Sequence, residues 1–144
     1  MLYDVVDLDR SVSHVTICCD IQCLDQIATG SYDVVICTQV LQYVEKPDRA
    51  VSELHRVLKL GGQFFLSVPF IEKDYTRMED KWRFTRRSVQ SLLAPFRRSH
   101  VITKGNLFSS VSYLLGLGQA DIGIGELNRE DKQFYQLVLA KAQK

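Results

Sequence analysis

No run of apolar residues in this sequence reaches the length of about 18 that a membrane-spanning helix needs. Neither sign of charge is in excess. Eighteen Lys and Arg stand against 17 Asp and Glu, a net charge of +1, so no global field draws the chain to nucleic acid or to an anionic membrane. The first ten residues carry acids where a secretory leader would carry bases. The four cysteines, Cys18, Cys19, Cys23 and Cys37, lie early in the chain, and three of them fall within six residues. That is too close to clip distant elements together. With no CxxC pair the spacing does not make a zinc site either. Reduced thiols in a cytoplasmic protein are the expectation. His14, His55 and His100 are isolated from one another in sequence, and no metal site is expected. There is no repeat and no low-complexity stretch.

What is present reads as one domain over residues 1–144. Hydrophobic residues make up 46% and charged residues 24%, enough to bury a core without disulfides. Residues 2–8 read as a strand ending in acids, and residues 14–19 as a short β-branched run that stops at Asp20. Residues 32–38 (YDVVICT) are nearly all apolar, as in a parallel strand buried on both faces. A helix follows, with Pro47 in its first turn and Ala50, Val51, Leu54, Val57 and Leu58 on one stripe. Gly61 and Gly62 are expected to stop it. Residues 64–68 form a strand closed by Pro69. Thr85 is placed to cap a helix that buries Val89, Leu92, Leu93 and Phe96. Residues 101–103 form a further strand, residues 107–117 a helix, and residues 134–140 a last strand. Strands alternating with helices give an open, largely parallel α/β sheet. The expected core is Val34, Ile36, Leu54, Val57, Leu58, Phe65, Leu66, Leu92 and Leu137.

The segment YDVVICTQVLQYVEKPDRAVSELHRVLKLGGQFFLSVP, from Tyr32 to Pro69, resembles a long ordered stretch of class I S-adenosylmethionine-dependent methyltransferases (methyltransferase type 11-like). In those enzymes a strand FDVV leads to LEHV, then to E..RVLKPGG, then to a strand ending near proline. A weaker likeness runs through KWRFTRRSVQSLLAPF, which is similar to the WRFT segment of a subgroup found beside sugar and cell-surface biosynthesis enzymes. The resemblance implies a Rossmann-like doubly wound, mostly parallel sheet in the order 3-2-1-4-5-7-6, with the last strand antiparallel. On that frame residues 2–8 are strand two. The first strand, its Gly-x-Gly-x-Gly turn and the first helix have no counterpart, so the chain reads as truncated at its N-terminus. Gly116, Gly118, Gly123 and Gly125 lie far downstream and do not replace that turn.

The cofactor that the resemblance implies is S-adenosyl-L-methionine. By the family pattern, Asp7 holds the ribose hydroxyls, with Asp9 as second candidate. Asp20 meets the adenine amino group and Ile21 the ring. Thr38, Gln39 and Leu41 leave strand four at its carboxyl end, where ligands of open α/β sheets sit. Tyr43, Trp82 and Arg83 are candidates for the substrate or its lid, and Arg83, Arg86 and Arg87 form a small basic patch suited to an anion. Gln42 and Tyr43 replace the family's common Glu-His, and a phenol is no base at neutral pH. No catalytic residue is assigned.

Three functions compete. One is methyl transfer to an unidentified small-molecule acceptor, such as a sugar. The second is a non-catalytic binding module derived from such an enzyme. The third is a nicotinamide-dependent oxidoreductase, which the E-x-x-R-V-L-K-x-G-G pattern disfavours. Without the glycine turn, the chain alone is expected to bind S-adenosylmethionine weakly or not at all. Without a central strand, two sheet edges are left unpaired. They are expected to heal by direct pairing of residues 2–8 with 32–38, to recruit a second copy or a partner chain, or to leave residues 1–30 poorly packed.

Overall fold

The computed structural model describes residues 3–76, 79–118 and 121–144, with Ile124 described at its backbone only. Leu2, expected to open the first strand, lies outside the described residues.

Four strands form the main sheet. β3 (Tyr32–Thr38), β4 (Leu58–Pro69), β5 (Arg98–Lys104) and β6 (Leu137–Gln143) are ordered β3-β4-β6-β5. β3 runs parallel to β4, and β6 runs antiparallel to both of its neighbours. β3, β4 and β5 therefore point the same way, and their carboxyl ends share one edge. Two short strands, β1 (Val6–Asp7) and β2 (Ile17–Cys18), form a separate parallel pair. The order agrees with the one the resemblance implies at every position except the centre, where no strand lies among the described residues.

Direct pairing across the gap does not occur: no ladder joins β1 to β3. The reason is visible in the residues after β2. Arg56 on α1 (Pro47–Val57) donates through Nη2 to the carbonyl of Leu24 at 2.8 Å and through Nη1 to that of Ile27 at 2.9 Å. Glu53 accepts the Leu24 amide at 2.9 Å. This clamp ties residues 24–27 to the helix, and Leu24 and Ile27 join the core. The β1–β2 pair is carried with them. Side chains fix its direction. Tyr32, the first residue of β3, donates its hydroxyl to Asp4, just before β1. Gln22, after β2, accepts from the amide of Lys46, after β3. The Tyr32–Asp4 contact sets the starts of β1 and β3 near one another, and the Gln22–Lys46 contact ties the chain after β2 to the start of α1.

α1 lies on one face of the main sheet, presenting Ala50, Val51, Leu54 and Val57 to Phe64, Leu66 and Val68 of β4. α2 (Arg86–Leu92) is capped by Thr85, whose Oγ1 accepts the Ser88 amide at 3.1 Å. It buries Val89, with Leu93 and Phe96 following in the core. The helix α1 ends at Val57, four residues before the first glycine expected to stop it. Its last carbonyls already have partners outside the helix: Gly30 and Ser31 donate to Arg56 and Val57, and the Lys144 ammonium donates to Arg56 and Leu58. Residues after Val57 therefore enter β4 directly. The register jumps from Tyr32 opposite Leu58 to Val34 opposite Gln63, and Gly61 takes φ +79 within the resulting bulge.

The expected core needs correction. Leu54, Val57, Leu58 and Leu66 are buried, but Val34 and Ile36 are 47% and 69% exposed. Both lie on the face of β3 turned away from α1, and nothing among the described residues covers that face. Phe65, beside Ile36, is only half buried and carries the Lys141 ammonium over its ring. Leu92 and Leu137 are half buried. Residues 134–136 are not strand; Tyr135 is a core residue stacked near Phe70, with ring centres 4.4 Å apart. The helix expected over 107–117 is α3 (Leu107–Leu114), and a short α4 (Ile124–Leu127) lies in the stretch read as a glycine-rich loop.

Candidate functional site

The carboxyl ends of β1, β2 and β3 bring most of the candidate residues to one edge. Asp7 closes β1, and its Oδ1 accepts the amide of Asp9 at 2.9 Å. Asp9 in turn accepts the amide of Ser11 at 2.8 Å, and hydrogen bonding from the Ser11 hydroxyl and then its amide holds the Asp9 carboxyl below the usual carboxylate range. Asp20 follows β2. Its Oδ1 accepts the Gln22 amide at 2.8 Å, and both its oxygens are met by the Gln22 side-chain nitrogen at 3.1 and 2.9 Å. Such local acceptors are what Asp supplies at a turn. Ile21 packs half buried against the core.

Thr38 is the exposed end of β3, opposite Ser67. Gln39 turns the chain sharply with φ 55, a left-handed conformation that a non-glycine residue takes at some cost. It is held there from β4: its amide donates to the Ser67 carbonyl at 2.9 Å and its side-chain nitrogen to Ser67 Oγ at 3.1 Å. Leu41 is fully buried, so its side chain offers no surface to a ligand. Tyr43 is half buried in the turn that follows.

The lid candidates are bound internally. Trp82 donates its indole N–H to the Val44 carbonyl at 2.8 Å, pinning residues 81–83 over the turn after β3. Arg83 grips Asp80 through two nitrogens, at 2.6 and 2.9 Å, and also donates to the carbonyls of Lys73 and Trp82. The Asp80 side chain is 1% exposed, and the guanidinium beside it holds its carboxyl below the usual range. Arg83 therefore orders the loop it sits in, while Arg86 and Arg87 of the proposed basic patch stay exposed.

Sequence reasoning missed Asp80, Ser67 and Gln42. Asp80 and Arg83 stand three apart, a spacing that signals a pair on a helix, but this segment is not helical. Gln42 is buried, and its carbonyl accepts the amides of Lys81 and Trp82 at 2.8 and 3.1 Å. Its side-chain nitrogen reaches Gln39 at 3.4 Å, and its Oε1 is buried without a partner among the described residues. All four cysteines carry free thiols, and burial pushes that of Cys37 up to about 12.

A family model described as "Methyltransferase domain" matches residues 4–66. The human thiol S-methyltransferase TMT1B (Homo sapiens) is 50% identical over 40 residues, which cover 28% of this chain and 16% of that protein. The match thus spans under a fifth of the relative's length. Among solved structures, a methyltransferase from Thermotoga maritima, titled a possible histamine N-methyltransferase, superposes with a TM-score of 0.64. It is 15% identical, and the alignment covers 96% of this chain and 72% of that one. The methyltransferase-domain model matches under half of this chain. The chain's fold is the Rossmann-like α/β fold of the S-adenosylmethionine-dependent enzymes. One relative of that fold was solved with S-adenosyl-L-methionine: the phosphoethanolamine N-methyltransferase 2 of Haemonchus contortus (TM-score 0.62, 14% identity, 96% of this chain and 42% of that one). Against that cofactor, this edge of the sheet offers carboxylate acceptors for a nucleoside's hydroxyl and amino groups, and a buried Gln42 oxygen with no partner among the described residues. Those residues fit the nucleoside half. No glycine-rich turn stands beside Asp7 for the other half.

Proposed function

We propose that this chain is the nucleoside-holding part of an S-adenosylmethionine-dependent methyltransferase acting on a small-molecule acceptor. The observation that carries the reading is the convergence of three parallel strand ends, which puts Asp7, Asp20 and the strained Gln39 turn at one edge. Asp7, with Asp9 behind it, accepts from the ribose hydroxyls. Asp20 accepts from the adenine amino group, displacing Gln22, and Ile21 lies against the ring. Thr38 and Gln39 border the reacting end, with Tyr43, Trp82 and Arg83 shaping the acceptor side. When bound, the cofactor's sulfonium supplies an activated methyl group. The protein's own task is alignment and exclusion of water, and no general base is assigned. The free thiols fit a reducing, cytoplasmic setting.

The open edges of β1 and β3 support a second element of the proposal: a strand from another copy or from a partner chain fills the central place. A non-catalytic binding module is the alternative. Titration of the isotope-labelled chain with S-adenosylhomocysteine, followed by amide chemical shifts, separates the two. The methyltransferase reading predicts weak saturable binding, with shifts concentrated after β1, β2 and β3 and reduced at least fivefold in affinity by Asp7→Asn. A chain that shows no shift at millimolar ligand, with or without added partner, is a module that has lost the cofactor.

A further inference from the structure

α3 is amphipathic with its faces reversed. Ser109, Ser110 and Ser112 are buried, whereas Leu107, Phe108, Val111 and Leu114 are 45–59% exposed. Burying serines in place of leucines is unfavourable unless the polar groups are bonded; here Ser109 Oγ donates to the Asn106 carbonyl at 3.0 Å, while Ser110 Oγ is buried without a partner among the described residues. Asn106 and Ser109 form a reciprocal cap, with the Ser109 amide on Asn106 Oδ1 at 2.8 Å and the Asn106 amide on Ser109 Oγ at 2.9 Å. The Asn106 side chain also donates to the carbonyls of Glu126 and Arg129, and Gln136 donates to that of Ser109. This network fixes the rotation of the helix and turns its apolar stripe outward.

The stripe ends in a cavity of about 540 Å³ lined by Lys73, Tyr113, Leu114, Leu115, Gly116 and Leu117. That is the size of a small-molecule site. Its position follows from topology. α3 leaves the carboxyl end of β5, Lys73 follows the carboxyl end of β4, and the Tyr113 hydroxyl donates to Glu72. The cavity therefore stands at the same edge of the sheet as Gln39. Among the described lining residues Lys73 is the charged one, with its ammonium 4.9 Å from the centre of the Tyr75 ring, while the adjacent Glu72 carboxylate is taken up by Tyr113.

We infer that this cavity is the acceptor subsite, and that the acceptor is an apolar small molecule carrying an anionic group. Its apolar body lies against Leu114, Leu115 and Leu117, and its anion meets the Lys73 ammonium. The inference rests on the methyltransferase reading and deepens it.

Linear alkanoates from butanoate to decanoate, and alkylamines of equal length, probe the site on the full chain without methyl donor, with amide shifts as readout. Each added methylene should tighten alkanoate binding about threefold to fourfold until the cavity is filled. Shifts should concentrate on residues 113–117. Alkanoates should bind at least fivefold more tightly than amines, and Lys73→Gln should erase that preference while keeping the dependence on length. Leu114→Asp, at an exposed position, should flatten the dependence on length without altering the urea midpoint. Equal binding of amines, no dependence on length, or shifts elsewhere overturns the inference. So does a chain that is dimeric by light scattering, is made monomeric by Leu114→Asp and ignores alkanoates, because the stripe is then a subunit interface. Shifts from S-adenosylhomocysteine at the strand ends with none from alkanoates sink the subsite alone. Alkanoate shifts with no response to S-adenosylhomocysteine sink the methyltransferase reading, and the cavity's role as an acceptor subsite with it.

Discussion

Replacing Arg56 by Ala should loosen the β1–β2 unit far more than the main sheet. Arg56 makes a two-nitrogen contact with Glu53, at 2.8 and 2.9 Å, and caps the carbonyls of Leu24 and Ile27. The two charged side chains are 30% and 19% exposed. An ion pair at this depth contributes on the order of 1 kcal/mol by itself. The larger loss comes from stranding the two carbonyls and Glu53, at about 1–3 kcal/mol for each group left unsatisfied, reduced where water reaches it. Because water reaches these part-exposed groups and Glu53 keeps the Leu24 amide, the net loss is about 2–4 kcal/mol. In urea that is a midpoint shift on the order of 1–2 M. Arg56→Lys should recover only part of it, because an ammonium cannot span Glu53 and both carbonyls at once. Hydrogen exchange locates the effect: amides of residues 5–27 should lose protection while β4 and β6 keep theirs. The pH dependence follows in sign. The guanidinium holds the Glu53 carboxyl below the usual range. That stabilisation is therefore full above the ordinary carboxylate pKa of about 4 and is lost as pH falls through the depressed value. The gap between the native chain and Arg56→Ala should close on acidification. A midpoint shift worth under about 0.5 kcal/mol, or protection lost evenly across both sheets, would refute the clamp.

Leu54→Ala should destabilise the fold by about 2–5 kcal/mol, as buried leucine truncations do, and a thermal melt displaced by only a degree or so would show that α1 is not packed on β4 as described. Gly62→Ala places a methyl 2.9 Å from the Lys59 carbonyl and 3.1 Å from that of Asp33, so it should cost about 1–3 kcal/mol; a neutral result in chemical denaturation would mean that the bulge gives way freely. S-adenosylmethionine should not bind the chain alone with low-micromolar affinity, and a calorimetric titration that finds such binding would show that a glycine turn is dispensable here.

The sequence alone determined the order and kind of the main elements. Apolar runs bounded by Pro and Gly marked β3 and β4, the 3.6-residue stripe marked α1, and Thr85 marked the start of α2, because these signals are local and their physics is local. Residues 32–69 also carried the resemblance to methyltransferases, since that long ordered motif is written in consecutive positions. Which faces are covered was decided only by the tertiary structure. Val34 and Ile36 read as core because apolar strand residues usually have something on both sides, yet burial depends on a second layer that strand chemistry cannot specify. The reversed α3 was hidden for the same reason: its apolar residues were legible, but the Asn106 and Gln136 bonds that turn its serines inward come from residues up to 27 positions apart. Arg83 read as a free cation until the fold set Asp80 and three backbone carbonyls around it. The separation of β1–β2 from β3 rests on Arg56 reaching back 29 and 32 residues to Ile27 and Leu24. Contacts over such distances have no period and no motif; they exist only once the chain has closed on itself.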